Sequence, residues 1–295
     1  MCSALDVLDE ACLYLATSHN KENEPRCRLC DPFEDLNYER DPIDQAIYTI
    51  RYFMAYYCEA YDVYRNFFYD ALGGTEKITV LSLGCGNCPD YFALKKFATR
   101  SPSHPKDYIY IGVDTGKWDY SVAEKDPGVS YYNSRNEFME KTSLMPSFNV
   151  IVFSKSLRNI GVNNSIEYLD NVSIDKKCML ICMDIGDNNG GNRSFSADIE
   201  CNHEIIEYLN KRLNSKGVRK EYSYEKDFKD SKIGEYDFAK NWSFYEGHCS
   251  YYNNQCGRQK TTYRYIYGQR YQNKYYKHNP VSTKKLYHGE VVYWG

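Results

Sequence analysis

The 295-residue sequence contains no run of about 18 consecutive apolar residues, the length a helix needs to cross a bilayer, so no transmembrane segment is expected. It has no basic start followed by an unbroken apolar stretch. Met1-Cys2-Ser3-Ala4-Leu5-Asp6 reaches an acid within six residues, and no secretory signal peptide is expected. It has no internal repeat of fixed period and no low-complexity tract, which excludes collagen and mucin-like stalks. Net charge is also small. The 37 Lys and Arg nearly balance 40 Asp and Glu, leaving -3, and 42% of the residues are hydrophobic. An acidic solvating tail and a wholly disordered chain are thereby excluded. The length suits one large domain or two ordinary ones, each able to bury a full core.

What is present in excess is tyrosine, 31 residues or about one in ten. Its ring is apolar and its tip polar, so the excess fits half-buried surfaces, strands or a stacking platform. The 12 cysteines are scattered. Cys58, Cys178 and Cys182 sit in apolar runs, where a free thiol packs as a small hydrophobe. Without a secretion signal, this usage reads as a reducing, cytoplasmic compartment with mostly free thiols. Cys27 and Cys30 have the spacing of a zinc pair, but Cys249, Cys256 and His248 are remote in sequence, and no metal is expected. Charge is segregated: residues 1–50 hold four basic side chains against eleven acidic ones, and residues 251–295 hold eight against one. The near-neutral total conceals an acidic head and a basic tail.

The head begins with a short helical pattern around Leu5, Leu8, Cys12 and Leu15. Asp41-Pro42 then reads as an N-cap followed by proline at the first helical position. Ile43, Ile47, Ile50, Met54, Tyr57, Tyr61, Tyr64, Phe68 and Leu72 recur at steps of three and four, which predicts one long helix ended by Gly73-Gly74. Tyr48, Tyr52, Tyr56, Tyr57, Tyr61 and Tyr64 go nearly all the way round it, so it should be covered on more than one side. Beyond the double glycine the period changes. Ile78–Leu83, Tyr108–Val113, Val129–Tyr132, Phe148–Phe153 and Cys178–Met183 read as short buried strands, interleaved with helical patterns that include Ile166–Leu169 and Ile205–Leu213. That alternation predicts an α/β chain with a mostly parallel sheet covered on both faces. Val218–Tyr224 and Thr262–Tyr267 alternate in polarity, as edge or antiparallel strands do. Residues 1–74 read as a helical extension or cap, and 75–295 as the sheet domain with its tyrosine-rich basic C-terminal segment.

The segment that carries chemistry is Val80-Leu81-Ser82-Leu83-Gly84-Cys85-Gly86-Asn87-Cys88-Pro89-Asp90. A buried strand runs through a glycine turn into a helix. Glycine serves where the backbone turns tightly and a ligand must approach without a β-carbon in the way. Asp114, at the end of the next strand, can accept hydrogen bonds from a ribose diol. The ligand is then a nucleoside-bearing cofactor over the carboxyl ends of the first strands. The same turn and acid also occur in nicotinamide enzymes and in sheets that bind nothing, and Asp114 could merely cap the segment that follows it, although the glycine turn favours the ribose.

These residues resemble the class I S-adenosylmethionine-dependent methyltransferases. Leu81–Gly86 looks like their first motif, and Asp114 like their second-strand acid. Phe148–Ser154 is similar to the fourth-strand motif facing the transferred methyl, and Cys178–Asp184 to the fifth strand. The resemblance covers about residues 76–270 and implies a Rossmann-like methyltransferase sheet with an antiparallel strand near the C-terminus. It implies S-adenosyl-L-methionine as cofactor, held by Leu83, Gly84, Cys85, Gly86, Asp114, Trp118, Phe153 and Ser154, with Trp118 over the adenine. Ser154 and Lys155 become candidates for orienting the acceptor. The sequence also departs from the pattern. Cys88 replaces the third glycine, and Asn149 stands where many members carry an acid. Ser101–Pro105 lengthens the gap between Gly84 and Asp114. Phe153-Ser154-Lys155-Ser156 replaces the Asp/Asn-Pro-Pro-aromatic box of nucleic-acid amino-methyltransferases, and the Pro-Cys nucleophile of cytosine-C5 enzymes is absent. Cys85 and Cys88 themselves read as small packed residues.

The methyl acceptor is not written in the sequence: RNA, protein and small molecules all remain open, and no membrane partner is expected. Tyr263-Arg264-Tyr265, Arg270-Tyr271 and Lys274-Tyr275-Tyr276-Lys277 interleave aromatics with cations. That pattern can track phosphates and stack bases, and it raises the alternative of a non-catalytic nucleic-acid-binding protein on a methyltransferase-like scaffold. The favoured reading of the same stretch is amphipathic sheet strands with solvated charges, since charge runs usually solvate a face.

Overall fold

The computed structural model describes residues 3–4, 6–8, 10–11, 14, 37, 41–100, 104–118, 126, 128–185, 193–227, 232–233, 236–237 and 284–295. The long helix α1 spans Pro42–Leu72. The side chain of Asp41 caps it, accepting from the amides of Ile43 and Asp44, with Pro42 at the first helical position. Its C-terminal end is at Gly73, whose amide returns to the carbonyl of Tyr69 at 3.0 Å. At 31 residues it is about 46 Å long. Every residue from Phe53 to Tyr64 is buried, including Glu59 and Asp62, so the tyrosines that encircle the helix are matched by cover all round. At the N-terminus, Val7 and Leu8 are helical and join the same apolar cluster.

Beyond α1 the chain alternates: β1 (Lys77–Leu83), α2 (Pro89–Arg100), β2 (Asp107–Val113), β3 (Val129–Tyr132), α3 (Arg135–Lys141), β4 (Phe148–Ser154), α4 (Leu157–Ile160), α5 (Val162–Asp170), β5 (Ile174–Ile185), α6 (Arg193–Leu213) and β6 (Val218–Asp227). A small ribbon pairs β7 (Lys232–Ile233) with β8 (Tyr236–Asp237), and β9 (Lys284–Trp294) ends the chain. The main sheet has the order β3-β2-β1-β4-β5-β9-β6. Its contiguous pairs from β3 to β5 are parallel, and β9 is antiparallel to both of its neighbours. Val218–Tyr224 falls on the edge strand β6, as its alternation suggests. Thr262–Tyr267 lies outside the described residues.

Alternation along each strand divides the core in two. On one face Ile78, Val80, Val150, Val152, Met179 and Ile181 pack with α1 and α2. On the other, Leu81, Leu83, Ile151, Phe153, Leu180 and Cys182 pack against α3, α5 and α6. Asn149 bridges strands at the amino end of the sheet: its Oδ1 accepts from the amide of Thr79, and its Nδ2 donates to the carbonyl of Lys77, both at 2.8 Å. Asn149 therefore serves the sheet ladder. Among the described residues no helix is long and apolar enough to cross a membrane.

Candidate functional site

After β3 the chain crosses to the other side of β1 to lay down β4, so the strand order reverses at β1. In open α/β sheets ligands settle at such a switch point, outside the carboxyl ends of the strands. Leu83 pairs with Val113 on one side and Phe153 on the other, so three strand ends finish level. Above them lies a cleft of about 580 Å³, within the usual size of ligand sites.

Its floor is the glycine turn. Gly84 (φ 68°), Gly86 (φ 55°) and Cys88 (φ 60°) all adopt the left-handed conformation. A β-carbon on Gly84 would lie 2.2 Å from Cβ of Ser156, whose hydroxyl donates to the carbonyl of Leu83. Position 84 therefore requires glycine for its backbone and its space alike. Cys88 carries a side chain in this conformation at a cost, and its thiol is fully buried in the core beneath the turn. The amides of Gly84 and Cys85 both donate to the carbonyl of Val113, at 2.7 and 3.2 Å.

Asp114 ties the turn to the loop after β2. Its Oδ2 accepts from the Gly86 amide at 2.8 Å and its Oδ1 from the Gly116 amide at 2.7 Å. The carboxylate is thereby oriented within the cleft wall. Trp118, buried, packs 5.9 Å from the ring of Tyr48, and a β-carbon on Gly86 would come within 3.4 Å of its indole. Leu83, Gly84, Cys85, Gly86, Asp114, Trp118, Ser154 and Lys155 all line this cleft. The structure brings them together from three strand ends. Phe153 is instead buried in the core on the α3–α6 face and does not line it.

The remaining wall comes from α1, which the sequence alone assigns to a cap. Tyr48 and Tyr56 face the cleft. Lys155 follows β4 with a left-handed backbone (φ 59°), and its ammonium lies 2.8 Å from Oε2 of Glu59 and 5.3 Å from the ring centre of Tyr56. The two charged side chains are 4% and 0% exposed, so this is a buried ion pair joining α1 to the post-β4 loop. Burial pushes the Tyr56 hydroxyl well above its ordinary range, with Tyr48 adding to the effect, and keeps it a neutral phenol. Asn87 donates to the Thr49 hydroxyl at 2.8 Å and Gln45 to the carbonyl of Lys117 at 2.7 Å, so α1 also braces the turn and the Trp118 loop. Sequence reading missed Glu59 because its partner lies in a distant loop. The only trace in the sequence is an acid within an otherwise apolar and aromatic helical stretch.

The fold is Rossmann-like. The sheet has the antiparallel strand near the C-terminus that the sequence resemblance implied. No family model and no curated protein matches the sequence. Among solved structures, the chain is similar to the plantazolicin methyltransferase BpumL in complex with SAH, with a TM-score of 0.40 and 12% identity over 99% of this chain and 98% of that one. It is similar to a SAM-dependent methyltransferase from Archaeoglobus fulgidus, with a TM-score of 0.40 and 10% identity over 81% and 94%. It is also similar to SAM-bound CalS10, an amino pentose methyltransferase from Micromonospora echinaspora, with a TM-score of 0.32 and 18% identity over 44% and 51%. These likenesses are distant. Cys27, Cys30 and the basic stretch between residues 251 and 283 lie outside the described residues. Among the described residues no group of His, Cys, Asp and Glu could hold a metal ion.

Proposed function

We propose that the chain is an S-adenosylmethionine-dependent methyltransferase whose cofactor lies across the carboxyl ends of β1, β2 and β4. One observation carries this reading: the carboxylate of Asp114, fixed by the Gly86 and Gly116 amides, stands beside a left-handed glycine turn in a cleft at the switch point of the sheet. The residues fit a nucleoside. Asp114 is an acceptor for a ribose diol, Gly84 and Gly86 keep β-carbons out of the cradle, and the indole of Trp118 offers an aromatic wall for adenine. The cofactor would supply an electrophilic methyl group on a sulfonium. Methyl transfer is an in-line displacement that depends mainly on alignment of donor and acceptor.

On this reading α1 shapes the acceptor side, with Tyr48 and Tyr56 as its aromatic wall. Ser154 and Lys155 orient the acceptor, and Glu59 holds the ammonium of Lys155 in place. The division at residue 74 then separates an acceptor-shaping helical segment from the cofactor-binding sheet. The alternative of a non-catalytic nucleic-acid-binding protein finds no support among the described residues. The chemical class of the acceptor stays open.

Calorimetric titration with S-adenosylhomocysteine tests the proposal. Saturable binding is expected, and no binding at millimolar ligand overturns it. Asp114→Ala should weaken binding about 10- to 100-fold, the equivalent of about 1.5–3 kcal/mol for hydrogen bonds to a charged group. Wild-type affinity in this variant would show that the ribose lies elsewhere.

A further inference from the structure

Beneath the glycine turn lies a pair of thiols that methyl transfer does not use. Cys85-Gly86-Asn87-Cys88 has two cysteines three residues apart, and the amide of Cys88 donates to the carbonyl of Cys85 at 2.8 Å. Such a turn brings the two α-carbons within about 7 Å, the span a disulfide can bridge. The side chains converge as well. Both sulfurs lie 3.8 Å from the carbonyl oxygen of Gly86. A β-carbon placed on Gly112 would meet both of them, Cys85 Sγ at 2.7 Å and Cys88 Sγ at 3.5 Å. Cys85 borders the cleft, but its side chain, like that of Cys88, is buried in the core beneath the turn, the two residues being 2% and 0% exposed.

We propose that Cys85 and Cys88 are a redox-sensitive dithiol whose closure to a disulfide weakens cofactor binding. The proposal rests on the cleft being the cofactor site. The oxidant is a low-molecular-weight disulfide such as oxidised glutathione. On local opening of the turn, the thiol of Cys85, the residue that borders the cleft, gives up its proton, attacks one sulfur of that disulfide and expels a thiolate, which takes up the proton. The Cys88 thiol then attacks Sγ of Cys85 in the mixed disulfide and expels the second thiolate in the same way. The protein pair loses two electrons and two protons, and the reagent leaves as two thiols. Burial raises both thiols above their ordinary range, so closure is slow. A thiol of high pKa is also a poor leaving group, so the bond persists once formed.

The coupling to the cleft is geometric. The peptide between the two cysteines carries the Gly86 amide that orients Asp114. Drawing the sulfurs from contact to a bond of about 2 Å pulls positions 85 and 88 together and twists that amide away from the carboxylate. By linkage, bound cofactor opposes closure to the same degree.

The full chain is prepared in two forms, one reduced with dithiothreitol and one treated with millimolar oxidised glutathione. Peptide mapping under non-reducing conditions locates any disulfide, and calorimetry measures S-adenosylhomocysteine binding to each form. The expected result is a Cys85–Cys88 bond in the treated protein and binding at least tenfold weaker, restored by dithiothreitol. Prior addition of S-adenosylhomocysteine should slow closure. Cys88→Gly, which suits the left-handed backbone but lacks the second thiol, should stop at a glutathione adduct on Cys85, as the wild type should not, and dithiothreitol should return it to its starting affinity. A mapped Cys85–Cys88 bond with unchanged affinity overturns the gating. A glutathione adduct without ring closure, or no reaction at Cys85, overturns the pair itself. If the reduced protein does not bind S-adenosylhomocysteine, the methyltransferase reading fails and the gating fails with it, while the map still decides whether the bond forms.

Discussion

Asp90 shows how much a single buried carboxyl can contribute. It lies in the first turn of α2, fully buried, and the hydroxyl of Tyr110 donates to both of its oxygens at 2.9 and 3.1 Å. Burial pushes its pKa up to about 6, against the lowering pull of Ser82, Tyr110 and nearby amides. A folded-state pKa above the unfolded value means that the native state holds the proton more tightly. Asp90 therefore favours folding at low pH, and that contribution is lost as pH rises from about 4 through about 6. By pH 7 the penalty is of the order of 3 kcal/mol. Asp90→Asn should gain stability relative to wild type between pH 4 and pH 7, by up to about that amount, in urea denaturation series. Parallel stability curves would show that the carboxyl titrates as it does in the unfolded chain. At this scale the glycine turn and Asp114 were legible, because the chemistry of φ and of an acceptor is local. The burial of Asp90 was not, since it depends on strands and helices folding over it.

Helix α1 illustrates what an element inherits from its surroundings. Its extent was written in the Asp41-Pro42 start, the three-four spacing and the Gly73-Gly74 stop. Its role as a cleft wall was not, because the pattern of one helix does not reveal which neighbour covers which side. The ion pair between Glu59 and Lys155 is where that cover becomes specific. Two buried charges are tolerated only while each compensates the other, and removing one strands its partner. Glu59→Leu and Lys155→Met should each destabilise the chain by about 3–5 kcal/mol. The Glu59→Leu/Lys155→Met double variant should recover most of the loss. Chemical denaturation of the three variants checks this, and additive losses would show that the two side chains act separately. Since Lys155 lines the cleft, the proposed function predicts that the double variant folds yet loses the positioning of the acceptor.

For the whole molecule, the late strand β9 decides whether the sheet is complete. It runs between β5 and β6, and Trp294, one residue from the end, is buried on the α6 face. Its indole donates to Oδ1 of Asn210 at 3.0 Å, and the same oxygen accepts from the Gly217 amide at 2.9 Å. In the same strand the buried carboxylate of Glu290 is met by Arg219 of β6, whose Nε donates to it at 2.9 Å. Trp294→Ala should cost about 3–5 kcal/mol, the usual range for emptying a large aromatic site in a core. Calorimetric unfolding measures it, and a loss below about 1 kcal/mol would show that β9 adds little to the sheet. The resemblance implied an antiparallel strand near the C-terminus, but no residue pattern placed it here, because Lys284–Trp294 carries only a short apolar stretch at its end and its partners are strands far back in the chain.

The sequence by itself determined the order and type of the elements from α1 to β6, the glycine turn and the acid that follows it. Each of these is governed by spacing, capping and backbone sterics within a few residues. Only the tertiary structure decided that α1 closes the cleft, that Glu59 meets Lys155, that Phe153 turns into the core and that β9 enters the sheet. Those outcomes depend on which surfaces bury one another, and burial is a property of the assembled chain.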